Sequence, residues 1–136
     1  MPGGRRPLGQ VVIALYAVFA VAAGARAGTQ LLTRYDEAPA AYLLSLGAAL
    51  VYLVATVALR IPGRRAFLVA LAGCLVELVG VLGVGTLTLV RPGVFADETV
   101  WSGLGAGYFY VPLVLPVLGL AWLRHVARTD PGVRRA

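Results

Sequence analysis

Glu77 is the residue whose type and position most demand a chemical account. It is the only charge in the apolar run from Ala66 to Val90, and a carboxylate near the centre of a bilayer costs about 2.5–3.5 kcal/mol on insertion scales. On a helical wheel it shares a face with Ala66, Ala70, Gly73, Cys74, Gly80, Val84 and Thr88, while Leu68, Leu71, Leu75, Val79 and Leu82 cover the opposite side. Two other apolar runs carry comparable seams. Gly9, Val12, Tyr16, Ala20, Ala23 and Ala27 align on the first, and Ser45, Ala48, Ala49, Tyr52 and Thr56 on the second. Counted at the helical rise, Tyr16, Tyr52 and Glu77 each fall within about 5 Å of their run's midpoint. Glu77, Tyr16, Tyr52, Ser45 and Thr56 are therefore the intramembrane polar candidates, and the first three are expected to meet.

Three roles for Glu77 stand open. As structural glue, it is a protonated carboxyl bonded to a Tyr or Thr of a neighbouring helix. As a functional group, it binds a proton or cation in a space between helices. As an intermolecular contact, it pairs with an Arg or a polar group of another subunit. Arg26 becomes a partner within the chain only by snorkelling inward from its position near the end of its run.

Soluble-enzyme chemistry has little to work with. Cys74 is the only cysteine and His125 the only histidine, so no intramolecular disulfide and no Cys/His metal cluster can be assembled. Gly103-Leu104-Gly105-Ala106-Gly107 has no preceding strand and no adjacent basic residue, which removes the basis for a phosphate loop; the run reads as the loose or kinked outer end of the fourth span. One intramembrane acid without a second titratable partner supplies little acid–base machinery. No catalytic residue, metal ligand or cofactor is assigned.

The elements that must position these residues are membrane spans. Apolar residues make up 60% of the chain, charged ones 13%, and the mean hydropathy is +0.84, far from a soluble domain. At about 20 apolar residues per crossing, the 136 residues hold four spans, near 8–27, 39–59, 66–90 and 100–123, with a tail over 124–136. They leave no room for a separate soluble catalytic domain. The expected fold class is all-α: a polytopic membrane protein with four transmembrane helices in one antiparallel bundle. Asp36 and Asp97 stand where N-caps are expected, Pro39 suits a first turn, Ile61-Pro62-Gly63 makes a tight connection, and Pro112 and Pro116 should bend the fourth helix.

Charge placement sets orientation. The net charge of +6 comes from Arg alone among the basic residues, and the arginines flank the spans, so the charge reads as topology and not as a nucleic-acid surface. Arg5, Arg6, Arg60, Arg64, Arg65, Arg124, Arg128, Arg134 and Arg135 fall on one side, against Arg26, Arg34 and Arg91 on the other. Basic flanks are retained in the cytoplasm, which predicts both termini inside, in the inner (cell) membrane. Trp101 and Trp122, with Tyr35 and Tyr42, are expected in the interfacial belts. A rival reading takes Arg5-Arg6, the following apolar run and Ala23-Gly24-Ala25-Arg26-Ala27 as a signal peptide with its cleavage site, leaving three spans.

The layout resembles small four-helix integral membrane proteins of high-G+C bacteria whose role is uncharacterised. Val76-Glu77-Leu78-Val79-Gly80 is similar to the E-x-x-G helix of DoxX-like proteins, a four-helix family, over that helix alone. Gly24 through Arg34-Tyr35 resembles the first-helix motif of fluoride channels, without that family's pore Asn and Phe-Thr-Thr motifs. Small multidrug exporters also have four spans and one membrane Glu, but theirs lies in the first helix. No functional residue carries over from these. Two function classes follow: a binding or scaffolding subunit that meets the lipid bilayer and a membrane-protein partner or a second copy, or a small proton-coupled transporter or channel built on Glu77.

Overall fold

The computed structural model describes residues 7–130. Four helices carry the chain: α1 (Pro7–Arg34), α2 (Pro39–Arg60), α3 (Arg64–Val90) and α4 (Val111–Thr129). All four are long and apolar enough to cross a membrane. At the helical rise, α1 and α3 reach about 40 Å, α2 about 33 Å and α4 about 28 Å, against a hydrocarbon core of about 30 Å. Successive helices pack on one another, and α1 also touches α4. Arg5, Arg6, Arg134 and Arg135, counted above for orientation, lie outside the described residues.

The seams are buried in the pattern that close helix packing requires. Gly9, Val12, Tyr16, Ala20, Ala23 and Ala27 of α1 and Ser45, Ala48, Ala49, Tyr52 and Thr56 of α2 all face inward. On α3 the buried line runs Ala70, Gly73, Cys74, Glu77, Val81, Gly85, so its upper half turns from the Gly80–Val84 line of an ideal wheel onto Val81 and Gly85. Large apolar side chains such as Val18, Val21, Val79 and Leu89 are exposed, as expected where the surroundings are lipid. Between spans there is no hydrophobic effect to gain, so small residues that bring backbones together supply the packing.

Several boundaries differ from expectation. α1 continues two turns past Ala27, and the run that resembles a cleavage site lies inside this unbroken helix with Ala23 and Ala27 buried. α2 has Ala38 before it, with no side-chain cap, and Asp36 lies in a short 3₁₀ turn, Tyr35–Glu37. Gly63 turns the chain from α2 to α3 at φ +104°, a region open to glycine at no steric cost. The α4 helix runs on through Thr129, so the first residues of the expected tail are helical.

The largest correction is the fourth span. The span was expected from Val100 with Gly103–Gly107 as a loose or kinked outer end, but α4 begins only at Val111, and residues 100–110 form two 3₁₀ turns, Ser102–Leu104 and Ala106–Tyr108. Gly103, Leu104, Gly105, Phe109 and Tyr110 all have positive φ, which a right-handed helix cannot accommodate. Pro112 therefore stands in the first turn of α4, where no helical N–H bond is lost, and only Pro116 lies within the helix. This re-entrant segment turns back into the bundle by its first half, with Val100 and Trp101 buried, while Ala106, Gly107, Phe109 and Tyr110 are exposed. A Cβ on Gly85 would meet the Leu104 backbone nitrogen at 2.7 Å, and one on Gly80 would meet the Trp101 ring. Counting back from Val90, the backbone descends about 8 Å along α3 and the Trp101 ring about 15 Å.

Candidate functional site

Glu77 is completely buried. The Tyr16 hydroxyl on α1 donates to Glu77 Oε1 at 2.8 Å and lies 3.3 Å from Cys74 Sγ, one turn below Glu77 on α3. A tyrosine hydroxyl has one hydrogen. With that hydrogen given to Glu77, the Cys74 thiol is left as donor to the Tyr16 oxygen, so the bonds run Cys74 to Tyr16 to Glu77. Gly119 of α4 closes the layer: a Cβ there would lie 2.7 Å from Cys74 Sγ and 2.9 Å from the Tyr16 hydroxyl oxygen. Residues of three helices thus meet in the Cys74–Tyr16–Glu77 layer, and Glu77 Oε2 has no protein hydrogen-bond partner.

Tyr52, expected beside Glu77, is engaged elsewhere. Its hydroxyl accepts from Trp101 Nε1 at 2.8 Å, and its ring centroid lies 6.3 Å from that of Tyr16. Phe19 meets Tyr52 edge-on at 4.9 Å and Tyr108 at 5.2 Å, geometry in which ring edge and ring face attract. An aromatic layer therefore lies between the Glu77 layer and the end of the bundle that carries Arg26, Arg34 and Arg91. Trp101, expected at the membrane interface, belongs to this interior, and Tyr42 is likewise buried with its hydroxyl on Asp97 Oδ2 at 2.7 Å. Asp97 also accepts the Glu98 backbone N–H, so it closes a connector and does not cap α4.

The two remaining candidates do not join Glu77. Ser45 Oγ accepts the Val100 backbone N–H at 3.0 Å, and the Thr56 hydroxyl is taken by the Tyr52 carbonyl of its own helix at 2.7 Å. Ser45 nonetheless has a clear task. Irregular backbone at membrane depth persists only where protein satisfies its polar groups, and Thr88 Oγ1 does for Gly103 N–H what Ser45 does for Val100 N–H. Within the segment, Ser102 Oγ accepts from Thr99 N–H and Thr99 Oγ1 from Trp101 N–H.

No family model, curated protein or solved structure matches this chain. The site must be read from its own geometry. Among the described residues no group of three His, Cys, Asp or Glu could hold a metal ion. Glu77 does not line any of three cavities formed by described residues. A crevice of about 10 Å³ among Arg26, Gln30, Ser45, Glu98, Thr99 and Tyr108 has the space of about one water. A cleft of about 420 Å³ lies outside the re-entrant segment, against Thr88, Phe95, Asp97 and Ser102. The third, of about 240 Å³, lies at the other end between α1 and α4.

Trp101, Gly119 and Gly85 were missed as parts of the site, and Gly80, placed on the Glu77 seam, was not foreseen as the seat of Trp101. The signal available was a glycine-rich run containing Trp101 and followed by Pro112, a composition hostile to regular helix. Arg26, offered as a snorkelling partner, instead holds its guanidinium 5.5 Å over the Tyr108 ring.

Proposed function

We propose that this chain is a binding or scaffolding subunit of a membrane complex, with no catalytic role and no cofactor, in which Tyr16 and Glu77 clamp α1 to α3. The observation that carries this reading is the close packing around the acid: Glu77 is fully buried, and glycines hold the neighbouring helices at contact distance. Such a seam suits a rigid platform better than a conduit. In this reading the four helices form an antiparallel bundle with both termini in the cytoplasm, supported by the nine-to-three Arg asymmetry. Reporters fused after Arg65 and Ala136 should be cytoplasmic, and those near Asp36 and Asp97 external. An external reporter after Ala136 would overturn the orientation.

One observation favours the second reading, a small proton-coupled transporter or channel: the unpartnered Oε2 of Glu77 offers a position for a proton or cation. Glu77→Gln separates the two because it keeps shape and hydrogen bonding while removing titration. For a clamp, Glu77→Gln is nearly neutral in thermal stability in detergent at every pH, and Glu77→Leu loses about 0.6–2 kcal/mol, the range of a membrane hydrogen bond. For a transporter, the folded Gln variant loses the pH dependence of proton flux in vesicles. Capture of stoichiometric native partners by the wild-type chain would support the subunit reading, and flux abolished in a folded Glu77→Gln protein would replace it.

A further inference from the structure

We infer that the crevice between α1 and α4 at the Arg-rich end seats one acyl chain of an anionic phospholipid, with the phosphate held by Arg124 and Arg128. Leu8 and Val12 form one wall and Leu118, Ala121, Trp122 and His125 the other. The crevice measures about 240 Å³, and a dry apolar cavity of about 150 Å³ already takes up benzene. Its wall is held rigidly. Gly9 has no side chain to displace the Trp122 ring, and His125 stacks on that ring at 5.5 Å and 30°. The shape is therefore set before any lipid arrives, which limits the ordering cost of binding.

Charge decides the occupant. Arg128 follows His125 by three positions and so stands above it on the same face of α4. Arg124 and Arg128 are both exposed, and Arg60, Arg64 and Arg65 of the α2–α3 connection belong to the same flank. An apolar slot under a guanidinium rim matches a fatty chain bearing a phosphate, since basic pockets between helices bind anionic headgroups and the guanidinium fork fits phosphate oxygens. A second copy docked by two-fold symmetry would bring one Arg rim against another, which disfavours that occupant. This inference is independent of the role of Glu77.

The test uses the full chain, stripped of lipid in detergent and titrated with palmitoyl-oleoyl phosphatidylglycerol or phosphatidylcholine, with bound lipid counted by native mass spectrometry. Phosphatidylglycerol should bind more tightly, and the double variant Arg124→Gln/Arg128→Gln should lose about 25-fold, at roughly fivefold per basic side chain near an anionic group. Ala121→Phe, at an exposed position, fills the slot and should abolish the retained lipid. Phosphatidylglycerol brominated on its chains needs no variant and should quench Trp122 while sparing Trp101. Equal binding of the two lipids, unchanged retention by Ala121→Phe, loss of a dimer in place of a lipid, or unquenched Trp122 would each overturn the proposal.

Discussion

The Glu77 layer and the re-entrant segment solve opposite problems. Around Glu77 the helices are regular, so the demand left to satisfy is that of one side-chain carboxyl: Tyr16 bonds its Oε1, and its Oε2 has no protein partner. From Thr99 to Tyr110 the backbone itself is irregular, and it borrows Ser45 and Thr88 from α2 and α3 to bond its N–H groups. The first region is tuned by side chains on a fixed frame. The second exists only because the frame has grooves of glycine to receive it. Disturbing the segment should therefore cost more than disturbing the carboxyl, and variants can be ranked to break or sharpen that contrast.

The largest effect is expected at Trp101→Ala, which removes a buried ring and the bond to Tyr52. Loss of a buried Trp costs about 3–5 kcal/mol, measurable as denaturation in mixed micelles. A cost no greater than that of Tyr16→Phe would erase the contrast.

Next comes the groove that receives the segment. Gly85→Ala places a methyl against the Leu104 backbone and should destabilise by about 1–3 kcal/mol, the usual cost of overpacking. Gly83→Ala, with nothing within 4 Å of its added carbon, is the control and should be neutral or slightly stabilising. Ser45→Ala leaves the Val100 N–H without its acceptor, at about 1–3 kcal/mol for a buried unsatisfied group. Equal melting temperatures for the Gly83 and Gly85 variants would show that the segment does not occupy this groove.

Tyr16→Phe tests the other region. It removes the donor to Glu77 and should cost about 0.6–2 kcal/mol. Paired with Glu77→Leu in a double-mutant cycle, it should cost less than in the wild-type background, because the partner is already gone. Strict additivity would mean that the two side chains are not coupled.

The smallest effect is expected at the surface end of the segment. The Tyr42 hydroxyl, and after it the Glu98 backbone N–H, hold the Asp97 carboxyl below its ordinary value. A depressed carboxyl contributes stability that is fully present above its unfolded value of about 3.9 and is lost as pH falls through the folded value. Tyr42→Phe should thus lower stability slightly at neutral pH and leave less to lose on acidification below about pH 4. Identical pH profiles for the two proteins would show that this bond does not set the Asp97 titration.

Sequence by itself determined the four apolar helices, the small-residue seams and the burial of Glu77, because each follows from hydropathy, helical period and the cost of a charge in lipid, all local properties. It also placed Tyr16 and Tyr52 at the depth of Glu77, since depth is only residue count times rise. Which of them reaches the acid was a tertiary decision. Tyr16 wins because Gly119 leaves room for its hydroxyl beside Cys74, while Tyr52 is drawn to Trp101 by a segment whose path no local rule prescribes. The glycines and prolines of residues 100–116 announced that regular helix would fail there, but not where the chain would go instead. That depended on Gly80 and Gly85 lying on another helix, at the height where Trp101 and Leu104 arrive.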